Sequence, residues 1–200
     1  MTIDGTAPRA EPLTSRFVDA LAFAIEAHGD QPRKGGTVTY VAHLLGAASL
    51  VLEAGGDEDM AIAGLLHDTI EDTGTTAEEI EAAFGPRVAS IVEACTDSDV
   101  EPKPPWRGRK ERYLDHLREA PADVLVVSRA DKLYNARAIL QDYRARGEEF
   151  WGIFKEGADQ QLWYYGELVA IFTERLPRAS MTDELRRVVD DLGAEVSRAR

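Results

Sequence analysis

His67 and Asp68 stand at the end of an apolar stretch, where their side chains could bind a metal ion. The residues from 61 to 66 read Ala-Ile-Ala-Gly-Leu-Leu, so the helix that carries the pair is expected to pass through a hydrophobic core. Two ionisable side chains in such a place are costly unless they are paired or bound to a metal. A solvated, acidic helix end is the alternative interpretation, and the apolar residues just before the pair count against it.

Glu71 and Asp72 follow this pair directly. If the helix predicted from about Glu58 to Ile70 continues that far, Asp68, Glu71 and Asp72 lie about 100°, 40° and 140° around the axis from His67. All four side chains then share one face of the helix. Three carboxylates crowded on one face repel one another unless a cation compensates them, so the spacing predicts a cation site.

Asp131 and Asn135 form a second centre, at the end of another apolar stretch. We expect the carboxylate of Asp131 to lie near the core, and Asn135, four residues later, shares its helix face. The alternative interpretation is a helix cap, or a buried ion pair between Asp131 and Arg129 or Lys132.

His43 is a third candidate, near the start of a predicted helix. A lone histidine there is more often a hydrogen-bonded core residue. Combined with the other candidates, however, it completes a set of two imidazoles and two carboxylates, which suits a hard or borderline divalent cation and leaves room for water. The predicted ligands are His43, His67, Asp68 and Asp131. Glu71 and Asp72 remain beside them, where a carboxylate could orient a water molecule or accept its proton.

Helical periodicity dominates the rest of the chain and predicts an all-α fold of about eight to ten helices. Thr76 and Glu79 form a capping box that opens a short helix, which Gly85 closes, and Pro86 suits the first turn of the next helix. The only plausible strand is residues 124–127, which we interpret as buried helix because no turn signal follows. The first predicted helix begins after Thr14 or Ser15 and ends near His28. The remaining predicted helices cover about residues 41–53, 58–70, 107–119, 122–145, 157–176 and 182–198.

Composition and charge exclude several classes of function. The chain has 200 residues, which is about one domain, and a net charge of −13. Residues 51–100 hold thirteen acidic side chains and one basic side chain, so neither nucleic acid nor an anionic membrane is an expected partner. No apolar run approaches the length of a membrane helix, and nothing resembles a signal peptide. We therefore expect a cytoplasmic protein. Residues 1–12 are expected to form a disordered arm, and Cys95, the single cysteine, is expected to be buried and structural.

Five stretches resemble the HD-domain metal-dependent phosphohydrolases, in particular the hydrolase domain of RelA/SpoT-type enzymes and the stand-alone small alarmone hydrolases. They occur in the expected order over about residues 14–145. The matching stretches are Ala27-His28-Gly-Asp-Gln31-Pro-Arg33-Lys34, Tyr40-Val-Ala-His43, Leu65-Leu-His-Asp-Thr-Ile-Glu-Asp72, Phe84-Gly85 and Ala130-Asp-Lys-Leu-Tyr-Asn135.

This resemblance implies a compact all-α HD domain over residues 13–200, with the motif core at 14–145 and additional helices at 146–200. His43, His67, Asp68 and Asp131 would bind the metal, usually Mn²⁺ in this family, and Glu71 and Asp72 would position or activate the attacking water. Arg33 and Lys34 would contact the nucleotide base and phosphates, and Asn135 would lie beside the ribose or the reactive phosphate. The family reaction removes pyrophosphate from the 3′ position of ppGpp or pppGpp and leaves GDP or GTP.

Two departures from the family pattern leave the substrate open. Asp97 follows Thr96, where alarmone hydrolases often have lysine, and Ala136-Arg-Ala138 lacks a hydroxyl residue that some long RelA/SpoT enzymes carry. The alternatives are an HD phosphatase acting on an adenine alarmone or NADPH, and a non-catalytic protein that binds nucleotide.

Residues 101–112 are locally basic. They are interpreted either as a solvated helix surface or as a mobile flap over the substrate phosphates. A small nucleotide is the expected partner. Trp151, Trp163, Tyr164 and Tyr165 are expected to pack in the core or in a homodimer interface.

Overall fold

The computed structural model describes residues 12–98, 102–176 and 180–200. Within these ranges the chain forms ten α-helices and one 3₁₀ segment, with a single isolated β-bridge between Pro32 and Thr39, which confirms the all-α prediction. No helix in the described ranges is long and apolar enough to cross a membrane. The predicted N-terminal arm lies outside the described residues except for its last residue.

The helices follow the predicted order along the chain. Their bounds are α1 (Ser15–His28), α2 (Val41–Glu53), α3 (Glu58–Leu66), α4 (Thr69–Thr73), α5 (Ala77–Phe84), α6 (Pro86–Cys95), α7 (Trp106–Glu119), α8 (Ala122–Arg146), the 3₁₀ segment (Gly147–Ile153), α9 (Ala158–Arg175) and α10 (Ser180–Ala199).

Local sequence signals set most of the helix ends. The side chains of Thr14 and Asp57 accept hydrogen bonds from backbone N–H groups in the first turns of α1 and α3. The predicted capping box of Thr76 and Glu79 is present, and Pro86 occupies the first turn of α6. Residues 124–127 lie inside α8, as predicted.

The core is centred on α3, whose residues from Met60 to Leu66 are all buried. Helix α2 packs against both α3 and α8, and α10 and α9 cover the other side of α8. Because α2, α8 and the turn that follows α3 carry the predicted metal ligands, the packing of these three helices determines how closely the ligands approach one another.

Two glycines allow this close packing. A Cβ atom on Gly64 of α3 would lie 3.2 Å from the Cα atom of Ala48 in α2, and a Cβ atom on Gly46 of α2 would lie 1.9 Å from the ring of Tyr134 in α8. The glycine hydrogens therefore let α2 rest directly on α3 and on the Tyr134 ring. His43 lies one turn before Gly46, so these contacts hold its imidazole near the ligands from α8 and from the end of α3.

The predicted helix over residues 58–70 is wrong in one respect, because it breaks at His67 and Asp68. The Nδ1 atom of His67 bonds the Gly64 carbonyl at 2.9 Å, and the Thr69 hydroxyl donates to the Leu66 carbonyl at 2.7 Å. In an uninterrupted helix these two carbonyls would accept from the backbone N–H groups four residues later. Side chains compete for them here, which favours a turn between α3 and α4. The single helix face expected for the four polar residues therefore does not exist.

We predict that Gly46→Ala lowers the stability of the protein. Alanine is favoured over glycine in an open helix by about 1 kcal/mol, but forcing an extra carbon into packed surroundings costs about 1–3 kcal/mol. Gly166→Ala in α9 is the matched control, since a Cβ atom there meets no atom within 4 Å, and it should raise the free energy of unfolding. Urea unfolding measures both. In a Tyr134→Ala background the effect of Gly46→Ala should disappear, and persistence of the loss there would contradict the steric explanation.

Candidate metal centre and substrate cleft

Four predicted ligands converge on one point. The Nε2 atoms of His43 and His67 lie 3.1 Å apart. Oδ2 of Asp68 lies 3.3 Å from the first of these nitrogens and 3.0 Å from the second, and Oδ1 of Asp131 lies 3.3 and 3.4 Å from them. Residues that are 88 positions apart in the sequence thus place two nitrogens and two oxygens around a common centre.

The chemistry of these donor atoms fits a divalent cation. One ligand atom each from His43, His67 and Asp68 lies within 4.8 Å of the other two, and Asp131 contacts both histidines. The backbone carbonyl of Gly64 accepts from Nδ1 of His67, so Nε2 is the ring nitrogen that faces the centre and would bind a cation there in place of a proton. The cluster of two histidines and an aspartate therefore suggests a divalent metal site, with Asp131 as the fourth candidate ligand.

Strong electrostatic coupling accompanies this geometry. Burial alone would lower the pKa of His67, but the carboxylates of Asp68 and Asp131 outweigh burial and hold that pKa well above the ordinary value. Burial would likewise raise the pKa of each carboxyl group. The imidazoles, and Lys132 in the case of Asp131, outweigh it and hold both pKa values well below the usual range. The carboxylates are thus ionised and ready to bind a cation.

Neighbouring side chains orient the two carboxylates. Lys132 Nζ donates to Oδ2 of Asp131 at 2.5 Å, and Asn135 Nδ2 donates to Oδ1 at 2.6 Å. The Tyr40 hydroxyl donates to Oδ2 of Asp68 at 2.5 Å. The alternative ion pair between Asp131 and Lys132 is therefore present as well, and it leaves Oδ1 facing the two histidines.

Glu71 and Asp72 lie beside the centre in different surroundings. Both oxygens of Glu71 are engaged, one by Lys103 Nζ at 2.9 Å and the other by the backbone N–H of Asp97 at 3.3 Å. Asp72 accepts one hydrogen bond, from the amide of Gln31 at 3.3 Å. Its partial burial and the charges of Asp68 and Glu71 raise the pKa of Asp72.

A cleft of about 960 Å³ adjoins the centre through Tyr40, Lys132 and Asn135. Its wall is strongly basic, although the chain as a whole is acidic. Two acidic residues, Asp142 and Glu156, line the cleft together with eight basic ones, which are Arg33, Lys34, Lys103, Arg109, Lys110, Lys132, Arg137 and Lys155.

The three predicted substrate contacts all line this cleft. Arg33 Nη2 donates to Oδ1 of Asn135 at 3.0 Å, and the Arg33 guanidinium lies 5.2 Å from the centre of the Tyr134 ring. Lys34 Nζ lies 4.7 Å from the centre of the Phe154 ring. Asn135 therefore connects Arg33 to the metal centre through Asp131.

The basic stretch contributes Lys103, Arg109 and Lys110 to the cleft wall. Asp97, the residue that departs from the family pattern, pairs with both Arg109 and Lys110, the latter at 2.8 Å. Burial and the nearby Lys132 lower the pKa of Lys110. Asp97 thus holds the start of α7 against the end of α6, and it offsets part of the positive charge of the wall.

The aromatic residues near the C-terminus serve mainly as core, in agreement with the prediction. Trp151, Tyr164 and Tyr165 are buried, and Trp163 packs partly buried against the core. Tyr164 and Tyr165 also reach the cleft wall. Cys95 is buried as expected, and burial raises the pKa of its thiol to about 12.

Sequence reasoning did not single out two residues that contact the site, Tyr40 and Gln31. Each lies within a recognised motif, beside His43 and Arg33 respectively, so their positions could have suggested them. Lys132 is the ion-pair partner that the sequence offers for Asp131. Lys103 belongs to the basic stretch 101–112, but its contact with Glu71 spans 32 residues and could not be read from the sequence.

Comparisons with known proteins concern the sequence and the fold as a whole. A family model described as an HD domain matches residues 20–156. The chain is 44% identical over 124 residues to a Xenopus tropicalis protein named guanosine-3′,5′-bis(diphosphate) 3′-pyrophosphohydrolase MESH1, covering 60% of this chain and 68% of that protein. A human protein of the same name is 36% identical over 126 residues, covering 62% and 69%.

Two solved structures are similar over most of the fold. One, described as a metazoan ortholog of SpoT that hydrolyses ppGpp, has a TM-score of 0.68 at 25% identity and covers 95% of this chain and 96% of that one. The other, from Listeria monocytogenes, has a TM-score of 0.67 at 30% identity and covers 74% and 96%.

We predict that His67→Ala and Asp68→Ala each abolish binding of a divalent cation, because each removes a ligand from the centre of the cluster. Calorimetric titration with Mn²⁺ and metal analysis of the dialysed protein measure this loss. His116→Ala is the control, since His116 is exposed on α7. Wild-type affinity in either ligand variant would show that the cation binds elsewhere.

Proposed function

The chain belongs to the HD-domain family, and on that premise we propose that it hydrolyses the 3′-pyrophosphate bond of (p)ppGpp-type alarmone nucleotides. The products are GDP or GTP and pyrophosphate. The observation that carries this proposal is a cluster of candidate metal-ligand side chains that lies next to a cleft lined by eight basic residues. The names of the relatives reported above support the choice of substrate.

The charge distribution suits a polyanionic substrate. The whole chain carries a net charge of −13, which by itself would repel a nucleotide with two diphosphate groups. The cleft wall reverses the sign locally, and Lys103, Lys110 and Lys132 lie on the side nearest the acidic centre. The basic wall therefore offers phosphate groups a favourable place to bind close to the carboxylates.

We propose Mn²⁺ as the resident cation, held by His43, His67, Asp68 and Asp131. Mixed imidazole and carboxylate donors suit a borderline divalent ion of this kind. When bound, such an ion polarises a phosphoryl oxygen and lowers the pKa of water.

The side chains around the centre divide the remaining tasks. Glu71 and Asp72 position the attacking water and accept its proton, as a new bond forms between the water oxygen and phosphorus. The bond between phosphorus and the ribose 3′ oxygen breaks, and that oxygen leaves with a proton. Arg33 and Lys34 contact the base and the phosphates of the nucleotide. Asn135, which bonds both Arg33 and Asp131, lies between the ribose and the metal centre.

We further propose that residues 13–200 form one HD domain, with residues 14–145 carrying the motifs. A location in the cytoplasm and formation of a homodimer stay predictions from the sequence.

Asp97 supports a second candidate substrate class. Its carboxylate engages Arg109 and Lys110, so this wall presents less positive charge than it would with lysine at position 97. The alternative is an HD phosphatase acting on NADPH, which carries a single phosphate in place of the 3′-diphosphate, or on an adenine alarmone, which carries the same phosphates on a different base.

We predict that the purified, Mn²⁺-loaded protein converts ppGpp to GDP and pyrophosphate. Chromatography of a panel containing ppGpp, pppGpp, the adenine analogues and NADPH identifies the substrate and separates release of pyrophosphate from release of orthophosphate. Preference for NADPH with orthophosphate release would replace the proposed substrate by the alternative. A protein that binds these nucleotides but turns none of them over would refute the catalytic assignment.

We predict that replacing both Arg109 and Lys110 by alanine raises KM for ppGpp several-fold and changes kcat little. Both side chains form part of the cleft wall that would bind phosphate, and neither is assigned to the chemical step. Arg107→Ala is the control, since Arg107 packs on Trp163 and does not line the cleft.

Removing both cations leaves the carboxylate of Asp97 unpaired, which could destabilise the fold by itself. A triple variant that adds Asp97→Asn removes this charge and should show the same rise in KM. An unchanged KM in the triple variant would mean that these residues take no part in substrate binding.

A further inference from the structure

His28, the last residue of α1, is buried next to the metal centre although it is not one of the candidate ligands. Only 6% of its surface is exposed. Its Nδ1 atom bonds the side-chain oxygen of Gln31 at 2.9 Å, and its ring stacks on the ring of Tyr40 with centroids 4.8 Å apart and planes 22° apart. Its Nε2 atom is buried, with no hydrogen-bond partner in the described part of the chain.

The first of these contacts leads to Asp72. Gln31 presents its oxygen to His28, so its NH₂ group faces the other way and donates to Oδ2 of Asp72 at 3.3 Å. The oxygen of the Gln31 amide accepts a hydrogen bond and its nitrogen donates one, so exchanging the two atoms would break both bonds. If Nδ1 of His28 carries the hydrogen, it fixes the orientation of the Gln31 amide. Asp72 then faces the NH₂ group of Gln31 and not its oxygen.

The second contact leads to Asp68. The ring of Tyr40 stacks on the His28 ring, with centroids 4.8 Å apart, and meets the His43 ring at an angle of 73°, with centroids 5.5 Å apart. In this position its hydroxyl donates to Oδ2 of Asp68, the oxygen that faces both histidines. The stacked ring of His28 thus supports the orientation of a candidate metal ligand.

Both contacts belong to the loop between α1 and α2, which is closed by its own backbone. The N–H groups of Gln31 and Tyr40 donate to the carbonyls of His28 and Gln31, at 3.0 and 2.9 Å, and Arg33 N–H donates to the Val38 carbonyl at 2.7 Å. This loop also carries Arg33 and Lys34. One connected segment therefore carries Arg33 and Lys34, which line the cleft, together with Gln31 and Tyr40, which contact Asp72 and Asp68.

We propose that His28 is a positioning residue with two separate effects, orienting Asp72 through the Gln31 amide and Asp68 through the Tyr40 ring. The inference rests on the proposed function only in assigning Asp72 to catalysis. His28 touches neither the substrate nor the cation, so its effects pass entirely through its two neighbours.

Two variants of His28 separate these effects. His28→Phe keeps a flat ring against Tyr40 and removes the hydrogen bond to Gln31, whereas His28→Ala removes both. We expect His28→Phe and Gln31→Ala each to lower kcat about tenfold, the lower end of what loss of an outer hydrogen-bond partner costs a metal site. KM for ppGpp and the affinity for Mn²⁺ should stay within twofold of wild type. His28→Ala should in addition lower the affinity for Mn²⁺, because it removes the ring that supports Tyr40. Tyr40→Phe, which removes the hydroxyl that bonds Asp68, should lower this affinity by the same factor.

The double variant His28→Phe, Gln31→Ala provides the decisive comparison. If His28 acts on Asp72 through the amide, the double variant is no slower than either single variant, because coupled residues are not additive. Asp30→Asn, an exposed change in the same loop, is the control and should leave all constants unchanged. Multiplied losses in kcat, or wild-type kcat in Gln31→Ala, would overturn the proposal. The half-buried Gln31 keeps the test available if the His28 variants prove too unstable.

Nitrogen-15 NMR gives a readout that needs no substrate. The histidine spectrum should show hydrogen on Nδ1 of His28 in the wild type, and Gln31→Ala should shift that nitrogen and expose its proton to exchange. A spectrum that places the hydrogen on Nε2 contradicts the proposed orientation of Gln31. If the wild type fails to hydrolyse ppGpp, the proposed function is wrong, and the NMR and Mn²⁺ measurements still decide the role of His28.

Discussion

The convergence of four ionisable side chains in a largely buried position is the constraint on which the rest of the structure depends. Two imidazole nitrogens 3.1 Å apart face two carboxylate oxygens, in a place where uncompensated charge is costly. Glycines at positions 46 and 64 bring the helices close enough for this contact, and the turn at His67 directs its imidazole inward. Around the centre, Tyr40, Lys132 and Asn135 engage the carboxylates. The fold therefore serves chiefly to hold an acceptor-rich centre that a divalent cation would stabilise.

The basic cleft is the electrostatic counterpart of this centre. A chain with a net charge of −13 presents eight basic and two acidic side chains on the cleft wall. Ion pairs extend from the cleft to the centre, since Lys103 holds Glu71, and Asp97 holds both Arg109 and Lys110. The same contacts attach the loop before α7 to the acidic α4. The cleft wall and the orientation of Glu71 are thus linked through Lys103, and net charge does not predict the sign of a site.

Sequence patterns predicted the local structure and most of the candidate site. Helix caps such as Thr14 and the box at Thr76 involve neighbouring residues, so their geometry follows from spacing along a helix. The proposed ligands could be selected because charged residues at the ends of apolar helices are unusual, and the motifs around them added the nucleotide contacts. The continuous helix through His67 was wrong because hydrogen bonds from the side chains of His67 and Thr69, which periodicity does not reveal, take over two backbone carbonyls.

By itself, therefore, the sequence determined the all-α class, many of the helix ends and the residue types of the candidate centre, since each of these depends on interactions within a few residues. Only the tertiary structure decided that Glu71 is held by Lys103, that Arg33 reaches Asn135 across 102 residues, and that the basic residues face one cleft. Such contacts depend on how closely the helices pack. A small residue such as Gly46 allows close packing because it has no side chain to clash with the facing ring. The sequence does not show that the facing ring is that of Tyr134, so this effect is visible only in the tertiary structure.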